Sequence, residues 1–303
     1  MPLELWGAAG TIDLSLPDHP LEYLLLLLYV GSLAYIVYAY RAESSRLDAR
    51  TWGLFAVLAA AGFLTSQLFP IPLFFEDQLA PVAAAQNPMT VLTPFTAVPL
   101  LLAAATLNPL AALGVGLFTG LGTALGQTHQ LFAVFHGGFA AVLATWFLRQ
   151  HYQGRLFRWL RLPMIAGPLS LMVLAVPVGL AAFVGAVGLV STLTAVDLAL
   201  STATANLLPL FLEGLLGGVI VLLILLGVPQ LTPPSRPLIP TPWQRSLRYR
   251  LLTNFVLFVG LVLLLMVFVV YNVAVNVSTR LVVNQMAHDA QTVSTQIPDF
   301  RAN

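Results

Sequence analysis

Two ionisable side chains, His136 and Glu213, lie within long apolar stretches of this 303-residue chain. An ionisable group at membrane depth is costly to bury and usually faces a cavity or a partner. His136 lies about six residues into one apolar run and Glu213 about seven residues into another, so at 1.5 Å per residue both are roughly 10 Å below one surface. An imidazole and a carboxylate at equal depth can bind a ligand, take up a proton or pair with each other.

Two further polar residues extend this pair into a predicted pocket. His129 precedes His136 by one heptad, which puts the two imidazoles on a similar helix face. Asn206 stands at the beginning of the apolar run that carries Glu213. We therefore predict an outward-facing ligand-binding pocket formed by His129, His136, Asn206 and Glu213.

Two other interpretations of these residues stay open. A histidine and a glutamate in a helical bundle can form an internal hydrogen-bonded pair that only sets the helix register. A metal site is the second, although two imidazoles seven residues apart with one carboxylate are loosely spaced compared with the i, i+4 pair of a helical zinc motif. The chain has no cysteine, and no catalytic triad, carboxylate pair, cofactor motif or phosphate-binding loop is recognisable. The sequence therefore predicts no catalytic residue, metal or cofactor.

The elements that carry these residues are predicted to be membrane helices. Hydrophobic residues make up 58% of the chain and charged residues 8%, whereas soluble domains carry about 25% charged residues. A helix needs about 20 apolar residues to cross a bilayer, and eight runs approach that length: 21–40, 52–69, 89–107, 110–126, 131–148, 164–190, 206–228 and 251–275. We predict an all-α polytopic membrane bundle of about eight spans, with the lipid bilayer as its main partner and no nucleic-acid partner.

The arginines predict which way the bundle faces. Most of them fall in three short stretches between apolar runs, and such loops are retained on the cytoplasmic side; they are Arg41, Arg46 and Arg50, then Arg149, Arg155, Arg158 and Arg161, then Arg236, Arg245, Arg248 and Arg250. Eight crossings that start outside put all three stretches inside. The sequence therefore predicts a multi-pass protein of the bacterial cytoplasmic membrane, with the N-terminus and the C-terminal tail outside.

Two segments of the bundle are harder to interpret from their composition. Only Asn108-Pro109 separates the third and fourth runs, where prolines interrupt helical hydrogen bonding. Residues 89–126 are thus either two spans or a re-entrant hairpin covered by neighbouring helices. Residues 191–206 are too polar for a free span and too apolar for a solvated loop, so we expect them to lie along the outer interface or to cover the pocket.

Small residues predict close helix packing in the fourth run. Gly116 and Gly120 form one G-x-x-x-G spacing, and Gly122 and Gly126 form another. Such spacings let helix backbones approach closely where lipid offers no hydrophobic driving force. We expect these glycines to pack against neighbouring helices, with a dimer face or a substrate path as alternatives.

Composition divides the chain into three parts. Residues 1–228 are predicted to form a seven-span bundle, and residues 229–250 a Pro/Arg-rich, extended cytoplasmic linker. Residues 251–303 are predicted to form an eighth membrane helix that continues outward as an extracytoplasmic amphipathic helix. Its apolar seam, which recurs every three or four residues and suits a homodimer, consists of Val282, Met286, Ala290, Val293 and Ile297.

The C-terminal part resembles the first membrane helix of bacterial sensor histidine kinases and related receptors. The segment RSLRYRLLTNF begins at Arg245 and is followed by a long apolar helix and a polar extension ending in AHDAQTVSTQIP. In that family such a helix leads into an extracytoplasmic sensor domain. Residues 80–228, with paired Ala/Gly-rich spans around Asn108-Pro109, resemble both the multi-span input domains of bacterial receptors and the substrate-binding subunits of energy-coupling-factor vitamin transporters.

The first resemblance implies the sensory input region of a two-component signal-transduction receptor. Such a region binds a small or lipid-soluble ligand and relays the change through its eighth helix, while a kinase or another output domain and the rest of the sensor domain follow further along the chain. The second resemblance implies a vitamin-binding transporter subunit. An accessory membrane subunit of a larger complex is the third expectation.

Overall fold

The structure, a computed structural model, describes residues 17, 19–44, 49–68, 70–72, 91–231 and 238–239, together with six positions between 251 and 266. The chain divides into two compact units, Met1–Ile239 and Pro240–Asn303. The six described positions of the second unit are helical and exposed. The N-terminal tail, most of the linker and the predicted outer helix with its seam lie outside the described residues.

The described part of the first unit is helical apart from one pair of two-residue strands. Its α-helices are α1 Pro20–Ser44, α2 Ala49–Thr65, α3 Ala97–Thr106, α4 Pro109–Thr123, α5 Phe132–Arg149, α6 Arg155–Leu160, α7 Pro163–Met172, α8 Ala175–Ala186 and α9 Thr192–Gly227. Strand β1, Ile71–Pro72, pairs antiparallel with β2, Val91–Leu92. A π-helical turn, Ala124–Thr128, extends α4.

Five helical segments of the described chain are long and apolar enough to cross a membrane. They are Pro20–Arg41, Pro109–Thr128, Phe132–Arg149, Pro163–Ala186 and Thr192–Gly227. Two shorter apolar helical segments, Thr51–Thr65 and Ala97–Thr106, accompany them. This agrees with the predicted all-α membrane bundle, in which each backbone polar group is satisfied within its own helix.

Helix α3 is the shortest of these seven apolar segments. Its 10 residues extend about 15 Å, half of a bilayer core, so it is too short to be the full third span suggested by residues 89–107. None of its residues is exposed, and Leu100 and Leu101 belong to a core cluster shared with α5, α7 and α9. The side chain of Asn108 caps α4 by accepting from the amide of Ala111 at 2.7 Å, which permits the sharp turn between the two helices.

The chain runs back and forth between two ends of the first unit. At one end, Arg149 at the close of α5 donates to the carbonyl of Leu107 after α3; we call this the arginine end, and it also holds Arg161 and the helix α6. At the opposite end, Thr96 before α3 donates to the carbonyl of Thr65 at the close of α2, at 3.3 Å. We call this the cavity end.

The structure adds detail to two predicted segments. The predicted span 164–190 corresponds to one apolar segment, Pro163–Ala186, which a break divides into α7 and α8; Pro177 has no amide hydrogen to bond the carbonyl four residues earlier, in that break. Residues 192–206 are continuous with the predicted span 206–228 and form the first turns of α9, whose 36 residues extend about 54 Å. Their hydroxyl groups bond carbonyls one turn back, as Thr204 does with Leu200 at 2.8 Å, so the helix tolerates them.

Two short parts of the predicted linker are described, residues 229–231 and 238–239. Pro229–Leu231 form a short 3₁₀ turn directly after α9. The amide of Ile239 donates to the carbonyl of His151, and the amide of Gln153 donates to the carbonyl of Ile239, both at 2.9 Å. Ile239, in the middle of the linker, therefore forms an isolated β-bridge with Tyr152 in the loop between α5 and α6.

Candidate functional site

A cavity of about 190 Å³ lies between the central helices near the cavity end. Apolar side chains of α3, α5, α7 and α9 form one part of its wall, including Leu100, Ala140, Leu171 and Leu210. The rest of the wall is polar and comprises Thr93, Thr96, Thr119, Thr123, Gln127, Thr128, Gln130, His136, Asn206 and Glu213. An apolar cavity of about 150 Å³ accommodates benzene, so this space has room for a ligand of at least that size.

Glu213 supplies the carboxylate of the cavity. It lies in the middle of α9, is 9% exposed, and accepts a hydrogen bond at Oε1 from the hydroxyl of Thr93 at 3.3 Å. In the described part of the chain, no basic side chain is within salt-bridge distance of Glu213. Every side-chain oxygen or nitrogen there that is inaccessible to solvent has a hydrogen-bond partner. Oε2 has no hydrogen-bond partner among the described residues, and Glu213 lines the cavity, so this oxygen is available to a ligand there.

His136 also lines the cavity, from the first turns of α5. Its Nε2 is 3.2 Å from the hydroxyl oxygen of Tyr29 on α1, and that hydroxyl donates to the carbonyl of Pro177 on α8 at 3.3 Å. The Tyr29 hydroxyl has one hydrogen, which it donates to the carbonyl, because a carbonyl can only accept. The hydroxyl oxygen can then accept from His136, provided that the imidazole carries its hydrogen on Nε2. Nδ1 is then an acceptor that no described group bonds, and His136 lines the cavity.

The structure does not support an internal pair between His136 and Glu213. Each residue has a different neutral partner, Tyr29 for the imidazole and Thr93 for the carboxylate. No group of three histidine, cysteine or acidic side chains within the described ranges is placed to hold a metal ion. The geometry of the two side chains therefore favours the pocket interpretation over the paired and metal-bound ones.

Asn206 and His129, the other two predicted pocket residues, have different positions. Asn206 lines the cavity and donates through Nδ2 to the carbonyl of Thr202 at 2.8 Å. His129 is exposed and does not line it. The heptad argument failed because α5 begins only at Phe132, and His129 lies before it in the left-handed region with φ of 52°. That conformation ends the π-helical turn and redirects the chain into α5.

The two predicted G-x-x-x-G pairs pack against different neighbouring elements. A Cβ on Gly116 would lie 2.3 Å from the carbonyl oxygen of Gly137, and one on Gly120 would lie 2.5 Å from that of Val134, both on α5. A Cβ on Gly122 would meet the hydroxyl of Ser66 at 2.0 Å, while Gly126 faces Gln67 at 3.3 Å. The first spacing therefore brings α4 and α5 together beside the cavity, and the second packs against the end of α2.

Sequence reasoning missed Tyr29, Thr93 and the amide of Gln127, which donates to the carbonyl of Ser66. Thr93 comes from the loop before α3, 120 residues from the carboxylate that it bonds. Nothing local marks such a residue, because threonine is common in loops and its partner is distant in sequence. Gln127 had a signal, since it stands among several polar residues between two apolar runs and on a π-helical turn, a feature frequent at functional sites.

Comparisons of the chain with protein-family models, with curated proteins and with solved structures find no match.

Proposed function

We propose that this protein is the membrane-embedded input region of a bacterial signal-transduction receptor and that the cavity is its ligand site, with His136, Asn206 and Glu213 as binding residues. The observation that carries the proposal is the cavity itself, which has a buried carboxylate and room for a small molecule. Ligand pockets are typically concave and largely apolar, with a few convergent polar groups.

The hydrogen bonds around His136 support a sensory role. A ligand in the cavity would touch His136, which contacts Tyr29 on α1 and, through it, the carbonyl of Pro177 on α8. Ligand binding in the cavity can therefore change the packing of α1 and α8, two helices that place no polar side chain of their own in the cavity wall. A change of helix packing is the kind of two-state event that membrane receptors transmit.

The arrangement in the membrane is part of the same proposal. We infer eight crossings of the bacterial cytoplasmic membrane, of which the short helix α3 makes the third. The arginine end lies in the cytoplasm, the cavity end and both termini lie outside, and a homodimer forms through the outer helix at residues 282–297. Supporting this orientation, the described arginines of α5, α6 and the following turn gather at the end opposite the cavity, and positively charged loops stay inside.

The experiment that tests the receptor assignment is purification of the native protein, tagged in its own membrane, followed by intact mass and identification of bound proteins. We expect a product well above 32.6 kDa, the mass of this chain, that carries a kinase or another output domain. A product of 32.6 kDa that purifies with an ATPase would instead identify a transporter subunit. The same mass with a fixed set of other membrane subunits would identify an accessory protein.

A further inference from the structure

Four of the five threonine hydroxyl groups in the cavity wall donate their hydrogens within the protein, while Thr128 accepts from the amide of Gln130 at 3.4 Å. Thr93 donates to Glu213 at 3.3 Å and Thr96 to the carbonyl of Thr65 at the same distance. Thr119 donates to the carbonyl of Val115 at 2.9 Å, and Thr123 to that of Thr119 at 3.2 Å. A threonine hydroxyl has one hydrogen and two lone pairs, so these four side chains can offer a ligand only acceptors.

The amide and imidazole groups show the same bias. Gln127 and Asn206 each use an amide hydrogen on a backbone carbonyl, of Ser66 and of Thr202, and their side-chain oxygens are left to accept. His136 uses Nε2 on the hydroxyl of Tyr29, which leaves Nδ1 as an acceptor. Glu213 adds a carboxylate oxygen that no described side chain bonds. Donors remain as well, namely the hydroxyl of Thr128, the side-chain amide of Gln130 and the second amide hydrogens of Gln127 and Asn206. Acceptors outnumber these donors, and the wall carries one acidic group that has no basic partner among the described residues.

We propose that the ligand of this cavity is a small organic cation, a protonated amine attached to an apolar ring or chain. The inference rests on the proposed function, because it names the ligand class of the same site. An ammonium group has three donors and no acceptor, which suits a wall in which acceptors outnumber donors and one acceptor is a carboxylate. Its positive charge balances the buried carboxylate, whose isolation in an apolar bundle would otherwise be costly.

The apolar part of the wall distinguishes an organic cation from a bare metal ion. Leu100, Leu171 and Leu210 offer no oxygen to a metal, and no cluster of three metal-binding side chains exists among the described residues. The same leucines suit a ring or a short hydrocarbon chain. The cavity of about 190 Å³ has room for a molecule such as benzylammonium.

Binding of three probes of matched size tests the ligand class. Benzylammonium, benzyl alcohol and benzoate share one ring and differ in charge and in hydrogen-bond donors. Each is titrated by calorimetry into the full chain in lipid nanodiscs, and empty nanodiscs correct for partitioning into lipid. We expect benzylammonium to bind about tenfold or more tightly than benzyl alcohol, since hydrogen bonds to charged groups are the strong ones, and we expect no binding of benzoate.

Two matched variants locate the effect. Glu213→Gln removes the charge at nearly constant volume, so we expect it to weaken benzylammonium binding about tenfold or more and to leave benzyl alcohol within about threefold. Asp197→Asn removes the exposed carboxylate on the same helix and should change neither affinity. If the Glu213→Gln variant does not fold, the ranking of the three probes on the unmodified chain decides alone.

The outcomes separate this inference from the proposed function. Equal binding of benzylammonium and benzyl alcohol, unchanged in Glu213→Gln, would overturn the cationic ligand and keep the cavity as a ligand site. Binding of benzoate in preference to benzylammonium would overturn it as well. Binding of none of the probes to the unmodified chain would overturn both the ligand class and the cavity as the site of the proposed receptor.

Discussion

Tyr29 is the residue that ties α1 to the cavity wall. Its side chain is 3% exposed and lies against the rings of Phe132 and Phe139 in edge-to-face geometry, at centroid distances of 5.7 and 5.5 Å. Its hydroxyl serves both His136 and Pro177. The aromatic packing and the hydrogen bonds therefore converge on one side chain, and the hydroxyl can be removed without disturbing the ring.

Replacing Tyr29 by phenylalanine should lower the free energy of unfolding by about 1–3 kcal/mol, because it leaves a buried imidazole nitrogen and a carbonyl without their partner. Tyr35→Phe on the same helix is the matched control, since Tyr35 is 72% exposed and its change should stay within about 0.5 kcal/mol. Both are measured by reversible unfolding in mixed detergent micelles. Equal stabilities of the two variants would contradict the assigned hydrogen bonds.

The packing of α4 against α5 shows how the helices create the site. Close approach of the two backbones at Gly116 and Gly137 brings Thr119 and Thr123 of α4 and His136 of α5 into the wall of the same cavity. The same device recurs between α7 and α9, where a Cβ on Gly167 would lie 2.3 Å from the carbonyl oxygen of Gly214. That second contact adjoins Glu213 and holds α9 in position, as expected for small residues at membrane helix interfaces.

Adding one methyl group should have opposite effects at two glycines. Gly116→Ala should lower the free energy of unfolding by about 1–3 kcal/mol, because its Cβ would overlap the backbone of Gly137. Gly53→Ala on α2 meets no atom within 4 Å and should be neutral or stabilise by up to about 1 kcal/mol through helix propensity. The same unfolding assay compares them, and a Gly116→Ala variant as stable as Gly53→Ala would refute close packing there.

At the scale of the whole molecule, the two ends of the first unit differ in charge. The arginine end carries Arg149, Arg155, Arg158 and Arg161, whereas the cavity end has exposed neutral residues such as Gln130 and Thr192. This asymmetry predicts the orientation, because short positive loops resist transfer across the cytoplasmic membrane. The absence of cysteine from the chain makes the orientation easy to measure.

Single cysteines at the two ends should react from opposite sides of the membrane. A membrane-impermeant maleimide added to intact spheroplasts should label the Thr192→Cys variant at once and the Arg155→Cys variant only after lysis, since both positions are exposed at opposite ends. Mass spectrometry of the purified protein measures the labelled fraction. The reverse pattern would place the cavity end in the cytoplasm and overturn the proposed orientation.

Composition and hydropathy by themselves determined the membrane class and the approximate positions of most described helices, because a helix that crosses lipid must be apolar over its whole length. They also singled out His136, Asn206 and Glu213, since polar groups are conspicuous in apolar runs.

Tertiary structure decided which groups meet. Thr93 reaches Glu213 and Tyr29 reaches His136 only after glycine contacts set the helix spacing. The tertiary structure also excluded His129 from the cavity wall, because His129 belongs to the turn that precedes α5 and not to the helix itself. Hydropathy is a property of neighbouring residues, whereas a cavity depends on contacts between residues distant in the chain.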